Sequence, residues 1–172
     1  LNFKEDGFDV STGGNSNNPQ QFVAHCWKAG GIAKTNYDGE IAAQVSANQT
    51  AGFSIMKFTA QSSGNKTVGH GLNKPPAFWL WKDINGGTGW YVYHKSLGAS
   101  AWLQPHNNTA ATTGNSAAWG GATPNDTTLT HGSGFVNQGE IMMYVWAETD
   151  GISSFGKYTG NGDQANGPVI LT

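Results

Sequence analysis

AFWLWKDINGGTGWYVYHK, residues 77–95, decides the fold. Its first limb alternates Phe78 and Leu80 with Trp79 and Trp81, its second, WYVYHK, keeps the same period, and between them lie Gly86, Gly87 and Gly89. A period of two places alternate side chains on opposite faces of a pleated strand, and a glycine-rich break lets the chain reverse. The stretch reads as a β-hairpin with Trp79 or Trp81 set across from Tyr91 or Tyr93. Each such aromatic pair stabilises a hairpin by a few tenths to about 1 kcal/mol.

Similar signals lie on either side. FSIMKFTA (53–60), TVGHGL (67–72), LTHGSGFV (129–136) and EIMMYVWAE (140–148) read as strands, with FGKYTGN (155–161) and PVILT (168–172) as the last. Upstream, FVAHCWK (22–28) alternates Phe22, Ala24 and Cys26 with Val23, His25 and Trp27, which predicts a strand with Cys26 as a small buried hydrophobe. Residues 11–21 carry no apolar side chain and read as an exposed loop; residues 29–51, poor in large apolar groups, read as a linker or a chain laid over a neighbour. SLGASAWLQP (96–105) is anchored by Trp102 and Leu103, and residues 104–128 form a polar surface loop with one apolar peg, Trp119. Roughly eight to ten strands and no long helix result. The fold class is all-β, a two-sheet β-sandwich of jelly-roll type, with an up-and-down barrel as the alternative.

Composition agrees. With 25 glycines, 6 prolines and only 12% charged residues, the chain is too rich in turn formers for a helical protein, while seven tryptophans argue against disorder. A formal charge of −2 leaves no basic footprint for nucleic acid, and no apolar run approaches the roughly 20 residues of a membrane-spanning helix. One cysteine precludes an internal disulfide.

Two strings recur. GFSIMKFTAQSSGN (52–65) and GISSFGKYTGNGD (151–163) align Lys57, Phe58 and Thr59 with Lys157, Tyr158 and Thr159, as a repeated module would. This predicts that residues 1–50 are the C-terminal part of an upstream module plus a linker, that residues 51–172 are the main β-sandwich, and that the chain is a segment of a modular array.

FVAHCWKAGG (22–31), EIAAQVSANQTAGFSIMKFT (40–59), TVGHGLNKPPAFWLWK (67–82), WYVYHKSLGA (90–99) and FGKYTGNGDQANGP (155–168) together resemble a domain repeated in tail-fibre and other virion structural proteins of marine bacteriophages. The resemblance implies a virion-surface sandwich similar to concanavalin-like or laminin-G-like jelly rolls, in a homo-oligomer for which a trimer is favoured by analogy with phage fibres. It implies other virion proteins as partners, a possible host-surface glycan, and tail fibre or capsid exterior as location. No catalytic residues and no cofactor come with it.

Among the residues themselves, aromatics carry the most functional weight. Trp90, Trp102 and Trp119 are candidate ligand or receptor contacts, because an aromatic face stacks on the apolar face of a pyranose; Trp79, Trp81, Tyr91 and Tyr93 are candidate subunit-interface residues, with core packing as the competing reading. Glu148 and Asp150 would share a strand face about 7 Å apart, within the range of a paired-carboxylate glycosidase. The third carboxylate of laminarinase-like jelly rolls is missing, since Gly151, Ile152 and Ser153 follow. His25, His70, His94, His106 and His131 lack zinc-site spacing, and the oxygens of Asn161, Asp163 and Asn166 lack EF-hand spacing, so no metal is expected. The expected function is a non-enzymatic virion structural or adhesion domain; a carbohydrate-binding lectin-like module and a capsid decoration protein are the alternatives.

Overall fold

The computed structural model describes residues 2–4, 7–9, 23–61, 63–135, 139–163 and 165–169. The strands are β1 (Asn2–Phe3), β2 (Phe8–Asp9), β3 (Lys34–Asn36), β4 (Ala43–Asn48), β5 (Phe53–Thr59), β6 (Lys66–Gly69), β7 (Pro76–Asp83), β8 (Tyr91–His94), β9 (Ala101–Trp102), β10 (Thr112–Thr113), β11 (Thr128–His131) and β12 (Glu140–Ala147). The helical content among the described residues is one 3-10 turn, Ser133–Phe135.

The expected hairpin is β7–β8, and its register sets Trp79 opposite Tyr93 and Trp81 opposite Tyr91. The first pair stacks face to face at 3.7 Å between ring centroids and the second meets edge-on at 5.6 Å. Lys82 closes the hairpin loop by donating from Nζ to the carbonyl oxygens of Asp83 and Thr88, while the Asp83 carboxylate accepts from the backbone N–H groups of Asn85 and Gly86. A side chain at Gly86 would collide with that carboxylate, which is why a glycine stands there.

β7–β8 forms one end of a six-stranded antiparallel sheet ordered β3-β4-β5-β12-β7-β8. Insertion of β12 between β5 and β7 is the long-range crossover of a jelly-roll-type sandwich. Its inner face carries Val45, Met56, Phe58, Trp79, Trp81, Tyr93, Ile141, Met143 and Val145, all buried. The second layer consists of the β6–β11 and β9–β10 pairs and their connections, which bring Val68, Leu129, Trp102, Ala118 and Trp119 into the same core cluster. Layer meets layer where the Trp119 indole packs edge-on against Trp79 at 5.2 Å and His131 on β11 packs edge-on against Phe58 on β5 at 5.4 Å. The protein is therefore an all-β sandwich, as its sequence predicts.

Several expectations are corrected. Residues 23–30 form no strand, and Cys26 is exposed; Phe22 and residues 11–21 lie outside the described residues. The boundary expected at residue 50 falls in the turn joining β4 to β5, neighbouring strands of one sheet, and Ile41, Ala43 and Val45 belong to the core. Residues 34–48 are thus part of the sandwich, not a linker: small apolar side chains at every second position suffice for a strand whose neighbour supplies the bulk. That turn needs Gly52, which sits at φ 66° and packs against Thr149 and Ala147. The apparent repeat does not extend to structure either. Phe58 is a buried β5 residue, whereas its counterpart Tyr158 is 66% exposed in a segment without strand structure. Of PVILT, residues 168–169 are not in a strand and 170–172 lie outside the described residues.

Candidate functional site

β5, β7 and β12 are apolar on both faces, and a sheet has only one face to give to a core. On the outer face, pairing aligns Phe53 with Trp146 and Ile55 with Tyr144 across β5–β12, and Tyr144 with Leu80 and Trp146 with Phe78 across β12–β7. Two irregular segments partly cover this face. Phe155 stacks on Phe78 at 5.4 Å with its ring nearly parallel, and Trp27, from residues 23–30, meets Trp146 edge-on at 5.3 Å.

Beside Trp27 runs a groove of about 390 Å³, within the size range of small-ligand sites. Buried Phe53 and Trp146 form its floor, in contact at 4.9 Å. Trp27, 56% exposed, forms one wall, and half-buried Trp90 and Tyr144, their rings roughly parallel at 6.3 Å, form the other. His25 and Cys26 complete the Trp27 side. A second recess of about 500 Å³ shares Ile55 with the groove and is lined by Lys28, Gln44, Ser46, Lys57 and Met142. The arrangement offers apolar ring faces beside amide, hydroxyl and ammonium groups, which is the chemistry that holds a sugar.

The residues singled out from sequence divide accordingly. Trp90 lies in the groove. Trp102 is buried in the core. For Trp119, whose sequence setting reads equally as a contact residue or as the anchor of its loop, the structure selects the anchor: it is 2% exposed, and its indole N–H donates to the Ala101 carbonyl at 3.0 Å. Trp79, Trp81 and Tyr93 are corrected, because they are buried within the protomer and have no surface to lend to a subunit interface; Tyr91 is half-buried and packed against the core. Sequence reasoning missed Trp27, Tyr144 and Trp146. The alternation of EIMMYVWAE does put Met142, Tyr144 and Trp146 on one face, and that was the available signal.

Of the remaining candidates, His25 lines the groove, whereas Glu148 and Asp150 line a separate recess of about 640 Å³. Glu148 is ion-paired with Lys95 and accepts from the Phe155 backbone N–H and the Ser154 hydroxyl; the Lys95 hydrogen bond, then that of Phe155, holds its carboxyl below the usual range. A glycosidase general acid needs the opposite shift. Glu140 is lowered mainly by its hydrogen bond from Lys57 at 2.8 Å, and Glu40 by the Thr67 backbone N–H and then Lys66. His70, fully buried, accepts from the Leu72 N–H at Nδ1 and so donates from Nε2 to the Asn125 carbonyl. Burial lowers its pKa, and burial alone pushes His131 down to about 4. The Asp163 carboxylate is engaged by Asn166 and the Ala165 backbone N–H, and among the described residues no group of three or more His, Cys, Asp or Glu side chains is arranged to hold a metal.

Residues 1–172 match the family model described as Domain of unknown function (DUF7483). No curated protein and no solved structure matches the chain.

Proposed function

For this chain, which belongs to the DUF7483 family of domains of unknown function, we propose the role of a non-enzymatic adhesion domain of a bacteriophage virion structural protein, making its contact through the outer-face groove. The observation that carries this reading is the gathering of Trp27, Trp90 and Tyr144 around a floor of Phe53 and Trp146 on a rigid six-stranded sheet. Aromatic groups left reachable at the edge of a groove cost exposed apolar surface that a merely structural sandwich has no reason to keep. The ordered sequence resemblance to virion proteins supports the phage assignment. A homotrimer would hold three such grooves together and multiply a weak contact by avidity.

The test is retention of the labelled, purified chain on bacterial cells and on a glycan array, with Trp90→Ala and Trp27→Ala in parallel. Retention that falls at least tenfold in both variants, without release of new reducing ends from the bound glycan, is the expected result. Retention unchanged by both substitutions, or glycan cleavage, would overturn the reading.

A further inference from the structure

The chain as a whole carries a formal charge of −2, yet no described residue lining either recess is acidic, and the two fixed charges among the described lining residues are Lys28 and Lys57. Lys57 is already balanced by Glu140 at 2.8 Å. All nine basic residues of the chain are lysines, and most are committed: Lys4, Lys66 and Lys95 to carboxylates, Lys74 to Thr149, and Lys82 to the hairpin loop. Lys28 lines the recess and, among the described residues, has neither ion pair nor hydrogen bond at its ammonium. Its backbone, by contrast, is anchored, because the Lys28 carbonyl accepts from the Asn48 side-chain amide at 3.0 Å. Below it, the Ser46 hydroxyl donates to the Gly31 carbonyl at 2.6 Å, so the strap bearing Trp27 and Lys28 is tied to β4 at two points.

Resting on the adhesion reading above, we infer that the two recesses together take an acidic oligosaccharide, one pyranose ring against Trp90 and Tyr144 and the carboxylate of a neighbouring ring at Lys28. An aromatic face recognises the apolar face of a pyranose without regard to charge. The ammonium supplies the selectivity, since it forms a charge-assisted contact with a carboxylate that an ester or a neutral ring does not offer. One uncommitted lysine matches the single charge of a uronate or nonulosonate residue. A polysulfated chain calls for a cluster of cations, which this groove lacks.

The experiment is an array of uronate- and nonulosonate-bearing oligosaccharides beside their methyl esters, neutral counterparts and sulfated counterparts, probed with the whole chain, Lys28→Met and Trp90→Phe. Carboxylated glycans are expected to bind at least tenfold more tightly than their esters. Lys28→Met is expected to erase that preference by bringing carboxylated glycans down to the affinity of their esters, and Trp90→Phe, which keeps an aromatic ring, to preserve the preference at reduced affinity. Lys28 is exposed, so its replacement leaves the fold intact, which circular dichroism verifies. Equal binding of acid and ester, a preference that survives Lys28→Met, binding of sulfated glycans alone, or binding of no carboxylated glycan overturns the inference. Trp90-dependent binding that is no tighter for carboxylated than for neutral glycans would do so while leaving the adhesion reading in place; absence of binding to every glycan and to cells would remove both.

Discussion

His131 makes the sandwich acid-sensitive in a pH range where its carboxylates do not. The ring lies on β11 between Phe58 and Trp81, is 2% exposed, and among the described residues its Nε2 has no hydrogen-bond partner. Burial therefore favours the neutral form and lowers the pKa from 6.5 to about 4. As pH falls, the unfolded chain takes up this proton near 6.5 and the folded chain only near 4. Between those values the unfolded state binds more protons, so stability declines with falling pH. Integrating the two titrations gives a loss of about 2 kcal/mol by about pH 5 and about 3 kcal/mol by about pH 4 from this one group. His70 is lowered in the same direction, again chiefly by burial. The lowered carboxylates, Glu40, Glu140, Glu148 and Asp163, lose their contribution only as pH falls through folded-state values below their ordinary ones, beneath most of the histidine window. Urea unfolding followed by fluorescence and circular dichroism from about pH 7 to about pH 4.5 measures the slope. His131→Leu, which fills the same apolar site without a titrating group, should remove most of the loss above about pH 5 and cost less than about 1.5 kcal/mol at pH 7. A wild-type slope persisting in His131→Leu would refute the reasoning.

Other expectations are as direct. Trp119→Ala should cost about 3–5 kcal/mol in urea unfolding, because it empties a core site and leaves the Ala101 carbonyl without its donor. Cys26, exposed on the strap, should react with a thiol reagent in the native protein at the rate seen in denaturant; strong native protection would contradict its placement. Gly52→Ala should destabilise by at least about 1 kcal/mol, since it forces a Cβ into the left-handed region and against Thr149 and Ala147. Glu148→Gln removes an ion pair at the protein surface and should change stability by no more than about 1 kcal/mol.

How much was legible differs by element. The β7–β8 hairpin and β12 could be read because their period of two and their glycine break are local properties of the chain, whereas which tryptophan faces which tyrosine was settled only by the observed register, Trp79 with Tyr93 and Trp81 with Tyr91. β3 and β4 could not. Their side chains are mostly small or polar, and what makes them strands is the ladder from β3 to β4 to β5 and burial of Ala43 and Val45 in the core. Residues 22–28 failed in the opposite sense, with strand-like alternation but no partner strand beside residues 23–28. The groove lay half in view: Trp90 was singled out, while Trp27 was assigned to that unformed strand.

The amino-acid sequence by itself determined the all-β class, the strands with strict alternation and the near-neutral charge, because these depend on residues close together along the chain. Which of two apolar faces is core, and which carries a reachable groove, was decided only by tertiary structure. Alternation shows that β7 and β12 have two faces but does not orient them. Orientation comes from what arrives from elsewhere: β11 and the Trp119 loop cover one side, and the Trp27 strap crosses the other and leaves Trp90 and Tyr144 within reach. Trp119 shows the physical reason most plainly. Alone in a polar stretch it reads equally as a contact or as an anchor, and it is buried because Trp79, forty residues away in sequence, supplies the apolar surface that its own neighbours lack.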